Sequence, residues 1–217
     1  MNKPLRRLVS RLPFFYPLRN WRTRRRQEQE WLAWERKDRP DPPPHLAKQQ
    51  TLIAFARRFG LTVLVETGTY YGDMVEAMKR HFDRIISVEL SRDLFEQARE
   101  RFRGQKKIEL VCGDSAVEIE RIVKSLDRPA LFWLDAHHSA GVTAKGSSDT
   151  SICEELGHIL RAWGRGHVVI IDDAQCFGRD PDYPSLRELI VFVRERAPSA
   201  EIAVEQDAIR ITPGKPA

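Results

Sequence analysis

The stretch Leu64-Val65-Glu66-Thr67-Gly68-Thr69-Tyr70-Tyr71-Gly72 runs from a short apolar segment into a glycine turn and then into a helical pattern. A strand of that kind, apolar on both faces, belongs inside a parallel sheet. Glycines just after it let backbone approach a ligand at the carboxyl edge of the sheet. A dinucleotide fingerprint would need Gly-x-Gly-x-x-Gly, but the residue two before Gly68 is Glu66, and the next glycine, Gly72, comes four residues on. A carboxylate there suits a cationic amine better than a pyrophosphate.

On either side of this segment short β-branched runs alternate with helical ones. Leu52, Phe55, Ala56 and Phe59 make a helical face closed by Gly60. Strands are expected at Thr62 to Glu66, Arg84 to Val88, Ile108 to Val111, Ala130 to Leu134 and Val168 to Ile171. Helices are expected over 72–80, 91–103, 115–125 and 151–163, the second with Ser91 as N-cap and Asp93 in its first turn. A further helix is expected from Ser185 to Arg196. It is followed by strands Glu201 to Val204 and Ala208 to Thr212, joined by Glu205-Gln206-Asp207, too short a link for a crossover helix. The expected fold is Rossmann-like α/β: a mostly parallel seven-stranded sheet with an antiparallel last strand and helices on both faces.

Acidic residues close successive strands. Glu89 ends the second, about one βαβ unit after Gly68, where doubly wound nucleotide folds place a carboxylate for ribose hydroxyls. The third ends in Cys112-Gly113-Asp114-Ser115, which puts an acceptor where an adenine amino group could be read. Strand-end Asp and Glu residues also serve as caps and turn formers, and that reading applies to Ser115 above all.

Glu66, Gly68 and Gly72 match the first motif, (Asp/Glu)-x-Gly-x-x-x-Gly, of the class I S-adenosylmethionine (SAM)-dependent methyltransferases, which residues 60–212 resemble, closing hairpin included. The resemblance implies that Glu66 and the loop through Gly68, Thr69 and Gly72 hold the amino-acid end of SAM. It assigns Glu89 to the ribose, and Asp114 with Ser115 to the adenine side.

A second constellation pairs Phe132-Trp133-Leu134-Asp135-Ala136-His137-His138 with Val168-Val169-Ile170-Ile171-Asp172-Asp173. Each is an apolar strand ending in acid, so Asp135, Asp172 and Asp173 should gather at one edge. Two carboxylates about 4 Å apart at an effective dielectric near 20 repel by roughly 4 kcal/mol, so the cluster calls for a cation or a proton. All-oxygen ligands favour Mg²⁺, or Mn²⁺ or Ca²⁺, over zinc. Adjacent residues on an ideal strand face opposite ways, however, and one of Asp172 and Asp173 could instead cap the next turn.

This arrangement resembles metal-dependent O-methyltransferases of the macrocin and aminocoumarin sugar-methyltransferase group. There an Asp after the fourth strand and an Asp pair after the fifth bind the ion. That group has an acidic base two positions beyond the first metal-binding Asp, and this chain has His137 instead. The resemblance implies catalytic roles for Asp135 and His137, with His138 or a merely packed histidine as alternatives. His137 could accept a proton at neutral pH from a hydroxyl acidified by the ion. The loop Gly141 to Thr150 has the composition of a substrate lid. Its Lys145 is either a contact for an anionic acceptor or a solvated lysine, and Tyr70, Tyr71 and Phe177 are either pocket walls or packing.

The 217 residues are 41% hydrophobic and 31% charged, the proportion of one sizeable core. The net charge of +5 is unevenly spread: residues 1–40 hold twelve Lys and Arg against four Asp and Glu, a formal +8, leaving −3 for the remainder. Residues 1–44 therefore read as a basic, aromatic extension with a proline-rich connector, and 45–217 as the methyltransferase domain. Leu5, Leu8, Val9 and Leu12 fall on one face of a short basic helix, and Asn20 to Asp38 is expected to be helical without a continuous apolar stripe. The extension suits shallow docking on an anionic membrane surface through residues 1–38. Contact with nucleic acid, or packing of Trp31 and Trp34 on the domain or a partner subunit, are the alternatives. No spanning helix or signal peptide is expected, and Cys112, Cys153 and Cys176 suggest neither a disulfide framework nor a zinc site.

The expectation is a cytoplasmic enzyme, peripheral at the inner membrane face if the extension docks there, with self-association left open. It would carry a methyl group from SAM to an oxygen of a small molecule or saccharide, as in surface-polysaccharide tailoring, with Mg²⁺ assistance. Metal-independent transfer to RNA or protein is the first alternative. A non-catalytic adaptor that keeps the nucleotide fold is the second.

Overall fold

The computed structural model describes residues 16–135, 151–181 and 183–214. The expected helix at Leu5 to Leu12, His137, His138 and the loop with Lys145 lie outside these residues. The described chain opens with helices α1 (Tyr16–Glu35) and α2 (His45–Phe59). Then β1 (Val63–Thr67), α3 (Asp73–Met78), β2 (Arg84–Glu89), α4 (Arg92–Arg101), β3 (Ile108–Cys112), α5 (Ser115–Ser125), β4 (Leu131–Leu134), α6 (Ser151–Arg161) and β5 (Val168–Ile171) follow in strict alternation. Helix α7 (Leu186–Arg196) and the strands β6 (Ala200–Glu205) and β7 (Ala208–Pro213) close it.

One seven-stranded sheet has the order β3-β2-β1-β4-β5-β7-β6. Strands β1 to β5 pair in parallel, and β7 lies antiparallel between β5 and β6. The expected antiparallel closure is present, with β7 entering beside β5. Gln206 and Asp207 make the connecting turn, both at positive φ (51° and 55°), the geometry that matches the twist of a two-residue hairpin.

Burial follows position in the sheet. The central strands β1, β4 and β5 are buried at every residue, whereas the edge strands β3 and β6 have only half-buried and exposed residues. One core cluster joins Val65, Ile86, Phe132, Leu134 and Ile171 to Ile119, Leu156 and Ile159 from α5 and α6. The other packs Leu64, Ile85, Trp133 and Ile170 against Leu52 and Ala56 of α2 and Met78 of α3. The sheet is thus covered on both faces, and its carboxyl edge is left for chemistry.

Helix ends differ in detail from expectation. Gly60 caps α2 in the left-handed region (φ 64°) as anticipated. Ser91 occupies the N-cap of α4, but its hydroxyl makes no capping bond; its amide donates instead to Glu89 Oε1 at 2.8 Å. Helix α6 ends at Arg161 and a separate 3-10 turn, Trp163–Arg165, follows it.

Helix α1 rests on the domain. Gln27 and Gln49 both meet His45 Nδ1, at 2.9 and 2.7 Å, and Gln49 Nε2 donates to Gln27 Oε1 at 3.3 Å. Trp34 is buried and donates its indole N–H to Pro40 O at 2.6 Å, so the proline run folds back over the helix it leaves. Among the described residues, no helix is long and apolar enough to cross a membrane.

Candidate functional site at the carboxyl edge of the sheet

Strand register assembles the site. Thr67 pairs with Leu134 and Leu134 with Ile171, so the residues that follow, Gly68, Asp135 and Asp172, emerge side by side. On the other flank Thr67 pairs with Val88, one residue before Glu89, and Glu89 pairs with Cys112, two residues before Asp114. The acids expected at successive strand ends therefore share one rim.

On the β1–β2 side of the rim, Glu66 is buried near the end of β1. It accepts from Ser87 Oγ at 2.5 Å, and Ser87 in turn meets Thr69 Oγ1 at 2.6 Å. Burial, reinforced by the charges of Asp135 and Glu89, raises the Glu66 pKa to about 8 against the pull of the Ser87 bond, so the unliganded group holds a proton at neutral pH. A cationic ligand is what would draw that proton off. Glu89 is held by two backbone amides, Tyr70 N to Oε2 at 2.7 Å and Ser91 N to Oε1 at 2.8 Å. Its carboxylate is thus fixed in orientation between the β1 loop and the start of α4.

The two glycines of the motif serve different neighbours. A Cβ on Gly68 would lie 3.3 Å from Asp135 Cβ, within the site, whereas one on Gly72 would lie 2.6 Å from Phe102 Cε2, in the core. Both have positive φ, 84° and 74°. The amides of Gly68 and Thr69 donate to Val88 O at 2.9 and 3.1 Å, so the loop is pinned to β2. Behind it, Arg101 of α4 donates to Asp73 Oδ1 at 2.7 Å, to Tyr71 O, and to Asn20 Oδ1 of α1 at 3.0 Å.

Asp114 caps α5, its Oδ1 accepting from Ala116 N at 3.0 Å, and the Ser115 hydroxyl donates to Glu155 Oε1. The capping role foreseen for strand-end acids is real for Asp114. Glu155, buried on α6, also receives Thr67 Oγ1 at 3.5 Å, and burial raises its pKa to about 7. Sequence reading missed it. The signal was there: Ile152, Glu155, Leu156 and Ile159 share one helical stripe, and a carboxylate in an apolar stripe needs partners. Ser87, the one polar side chain inside Ile85-Ile86-Ser87-Val88, carried a similar mark.

Across from these lies the carboxylate triad. One oxygen each from Asp135, Asp172 and Asp173 lie within 4.8 Å of one another. Asp173 is in the left-handed conformation (φ 54°, ψ 49°), which breaks the alternation of an extended strand and lets neighbouring acids serve one point. Asp207 of the hairpin turn holds that bend: its carbonyl accepts from Ala174 N and its Oδ1 from Gln175 N, both at 2.8 Å. The turn residue of the sequence is thus a support of the site.

Lys48 of α2, also unforeseen, reaches into the triad, its Nζ 2.5 Å from Asp172 Oδ2 and 3.6 Å from Asp173 Oδ1. Burial opposes the Lys48 charge, yet Asp172, Asp173 and Asp135 carry its pKa above the usual lysine value. Burial and the neighbouring acids raise Asp172 to about 7 in spite of Lys48. Asp172 Oδ1 is buried with no hydrogen-bond partner among the described residues. A buried carboxylate oxygen with no hydrogen-bond partner, on a residue clustered with two more acids, belongs to a donor set that fits a hard divalent cation.

Of the aromatic candidates, Phe177 is buried in the core and meets Tyr183 edge-on at 5.3 Å, which makes it packing. Tyr70 and Tyr71 stay 50% and 45% exposed, enough to meet a ligand at the rim.

No family model matches the chain, and no curated protein matches its sequence. Solved structures do match its fold. The SAH-bound methyltransferase PaMTH1 of Podospora anserina aligns at TM-score 0.55 and 16% identity, over 87% of this chain and 88% of that one. The O-methyltransferase TomG of Streptomyces achromogenes, solved with SAM and involved in tomaymycin synthesis, aligns at 0.51 and 18%, over 88% and 89%. An O-methyltransferase of Bacillus cereus, in complex with SAH, aligns at 0.51 and 14%, over 87% and 90%. With the strand order and the antiparallel closing strand, these similarities show a Rossmann-like methyltransferase fold.

Proposed function

We propose that the protein is a SAM-dependent methyltransferase that transfers the methyl group to an oxygen of a small molecule or saccharide with the help of a divalent cation, Mg²⁺ first. One observation carries this reading: the glycine motif and the carboxylate triad adjoin, Gly68 beside Asp135 at neighbouring strand ends with no more than 3.3 Å between a Cβ built on the glycine and the aspartate Cβ, so a cofactor cradle and a cation cradle share one edge.

In this reading Glu66 holds the cofactor's ammonium, with Ser87 and Thr69 fixing its carboxyl, Glu89 takes the ribose, and Asp114 with Ser115 borders the adenine. SAM supplies the electrophilic methyl. A cation held by Asp135, Asp172 and Asp173 would lower the pKa of an acceptor hydroxyl. His137, two residues past Asp135, is the proposed base, and the 141–150 loop the proposed cover. Residues 1–44 are proposed as an extension of a domain spanning 45–217, working in the cytoplasm. Its basic leader would dock on anionic lipid at the inner membrane face in preference to nucleic acid, bringing the enzyme to lipid-linked saccharides. Metal-independent transfer to RNA or protein is disfavoured by the triad and by the −3 charge of residues 41–217.

Calorimetry with SAM, then with Mg²⁺ on wild type and Asp172→Asn, tests the reading. Binding of both ligands by wild type, with Mg²⁺ binding lost in the variant, is expected. Failure to bind SAM at millimolar concentration would leave the non-catalytic adaptor. A screen of acceptors for the mass gain of one methyl group would then name the substrate.

A further inference from the structure

Lys48 comes to the triad from a helix that precedes the whole alternating β/α region, 124 residues before Asp172 in sequence. Its ammonium takes one oxygen of Asp172 at 2.5 Å and approaches Asp173 Oδ1 at 3.6 Å, while the second oxygen of Asp172 stays buried without a partner. Asp172 is 5% exposed and the Lys48 side chain 18%, so solvent does little to screen the pair. A cation serving all three acids must compete with this ammonium for Asp172 and Asp173, or sit beside it and feel its charge. Either way the lysine opposes the metal.

From this geometry we infer that Lys48 is a built-in, exchangeable counter-ion that occupies the triad in the absence of metal and sets how tightly a divalent cation binds there. The inference rests on the triad being a cation site, as proposed above. When no metal is bound, Lys48 supplies positive charge to Asp172 and Asp173 at the triad. It also tunes the site to cation concentrations high enough to displace it. Helix α2 carries Lys48 and, three and one residues away, the His45 and Gln49 contacts to Gln27, so the lysine is aimed from a helix fixed on its other flank by α1.

The test is Mn²⁺ binding to the full chain, by calorimetry and by the loss of the free-ion electron paramagnetic resonance signal. Wild type, Lys48→Met, Lys48→Gln and Asp172→Asn are compared, with circular dichroism to confirm folding. Lys48→Gln keeps a polar group at the triad and serves should the methionine variant not fold. Removal of the competing charge is expected to tighten Mn²⁺ binding by about tenfold or more, and Asp172→Asn to weaken it by a similar factor. Mn²⁺ binding by the lysine variants but not by wild type would support the inference equally. Equal or weaker binding by both lysine variants overturns it and leaves the cation site standing. Absence of binding in wild type and both lysine variants overturns the cation site and this inference together.

Discussion

Gly68 and Asp135 lie side by side, close enough that a Cβ on the glycine would come 3.3 Å from the Cβ of the aspartate. They follow neighbouring strands, one leading into the glycine motif and the other into the first acid of the triad. Any side chain at position 68 must push on the carboxylate that the proposed cation needs, whereas one at position 72 pushes on Phe102 instead.

Gly68→Ala and Gly72→Ala should therefore fail differently. At position 72 a left-handed backbone and a 2.6 Å contact with a buried ring add up to a stability loss of about 3 kcal/mol, seen by chemical denaturation. Gly68→Ala should lose less stability but weaken Mn²⁺ and SAM binding, because its clash falls on Asp135. Equal stability losses with unchanged binding by Gly68→Ala would contradict this division.

SAM binding should tighten as pH rises from 6 to 7.5, below the range in which the ligand's own α-ammonium loses its proton. Glu66 is protonated up to about pH 8 in the free protein; in its proposed role it must ionise to hold the ammonium, so binding there releases a proton. Calorimetry in buffers of different ionisation enthalpy measures that proton. Glu66→Gln should abolish its release and weaken SAM binding by about tenfold or more.

The unliganded protein should lose stability as pH rises from 6.5 to 8.5. Glu66 and Glu155, with folded pKa values of about 8 and about 7 against 4.5 for the free side chain, bind protons in the folded state that the unfolded chain has released. Their contribution is present at low pH and is lost as pH climbs through the folded values. The loss is on the order of 2 kcal/mol, or about 5 °C in melting temperature. His167 acts in the opposite sense, since burial lowers its pKa to about 4, but only below pH 6.5, outside this window. A melting temperature that rises over the interval would contradict the assignment.

Asp173→Asn and Asp173→Ala separate backbone from charge. Asparagine tolerates the left-handed conformation, so it should fold like wild type yet bind Mn²⁺ less tightly, whereas alanine should lose about 1 kcal/mol of stability in addition. Equal Mn²⁺ binding by wild type and Asp173→Asn would remove Asp173 from the triad's function.

His137→Ala should slow methyl transfer by roughly 10² to 10⁴ at pH 7 if His137 is the base, with SAM affinity unchanged. Rates of wild type and variant across pH 6 to 9 check it. A small, pH-independent loss would return the role to His138 or to solvent.

What could be read from the chain alone was whatever repeats locally. Apolar runs at Val63 to Val65 and Val168 to Ile171, with helices between runs, imply a parallel sheet, because only burial on both faces explains strands without polar alternation. Acids that end those runs, Glu66, Glu89, Asp135 and Asp172, fall on one edge because parallel strands share one direction. Lys48, Ser87, Glu155 and the bracing role of Asp207 were settled only by the fold. Lys48 meets Asp172 across 124 residues and Glu155 meets Thr67 across 88, distances over which no periodicity carries information. Whether adjacent Asp172 and Asp173 diverge or converge also depended on one backbone torsion, the positive φ of Asp173 braced by Asp207 of the closing hairpin. Local pattern fixes which faces are buried and which ends are polar; only the packing of distant segments decides which charges meet and which of them keep their protons.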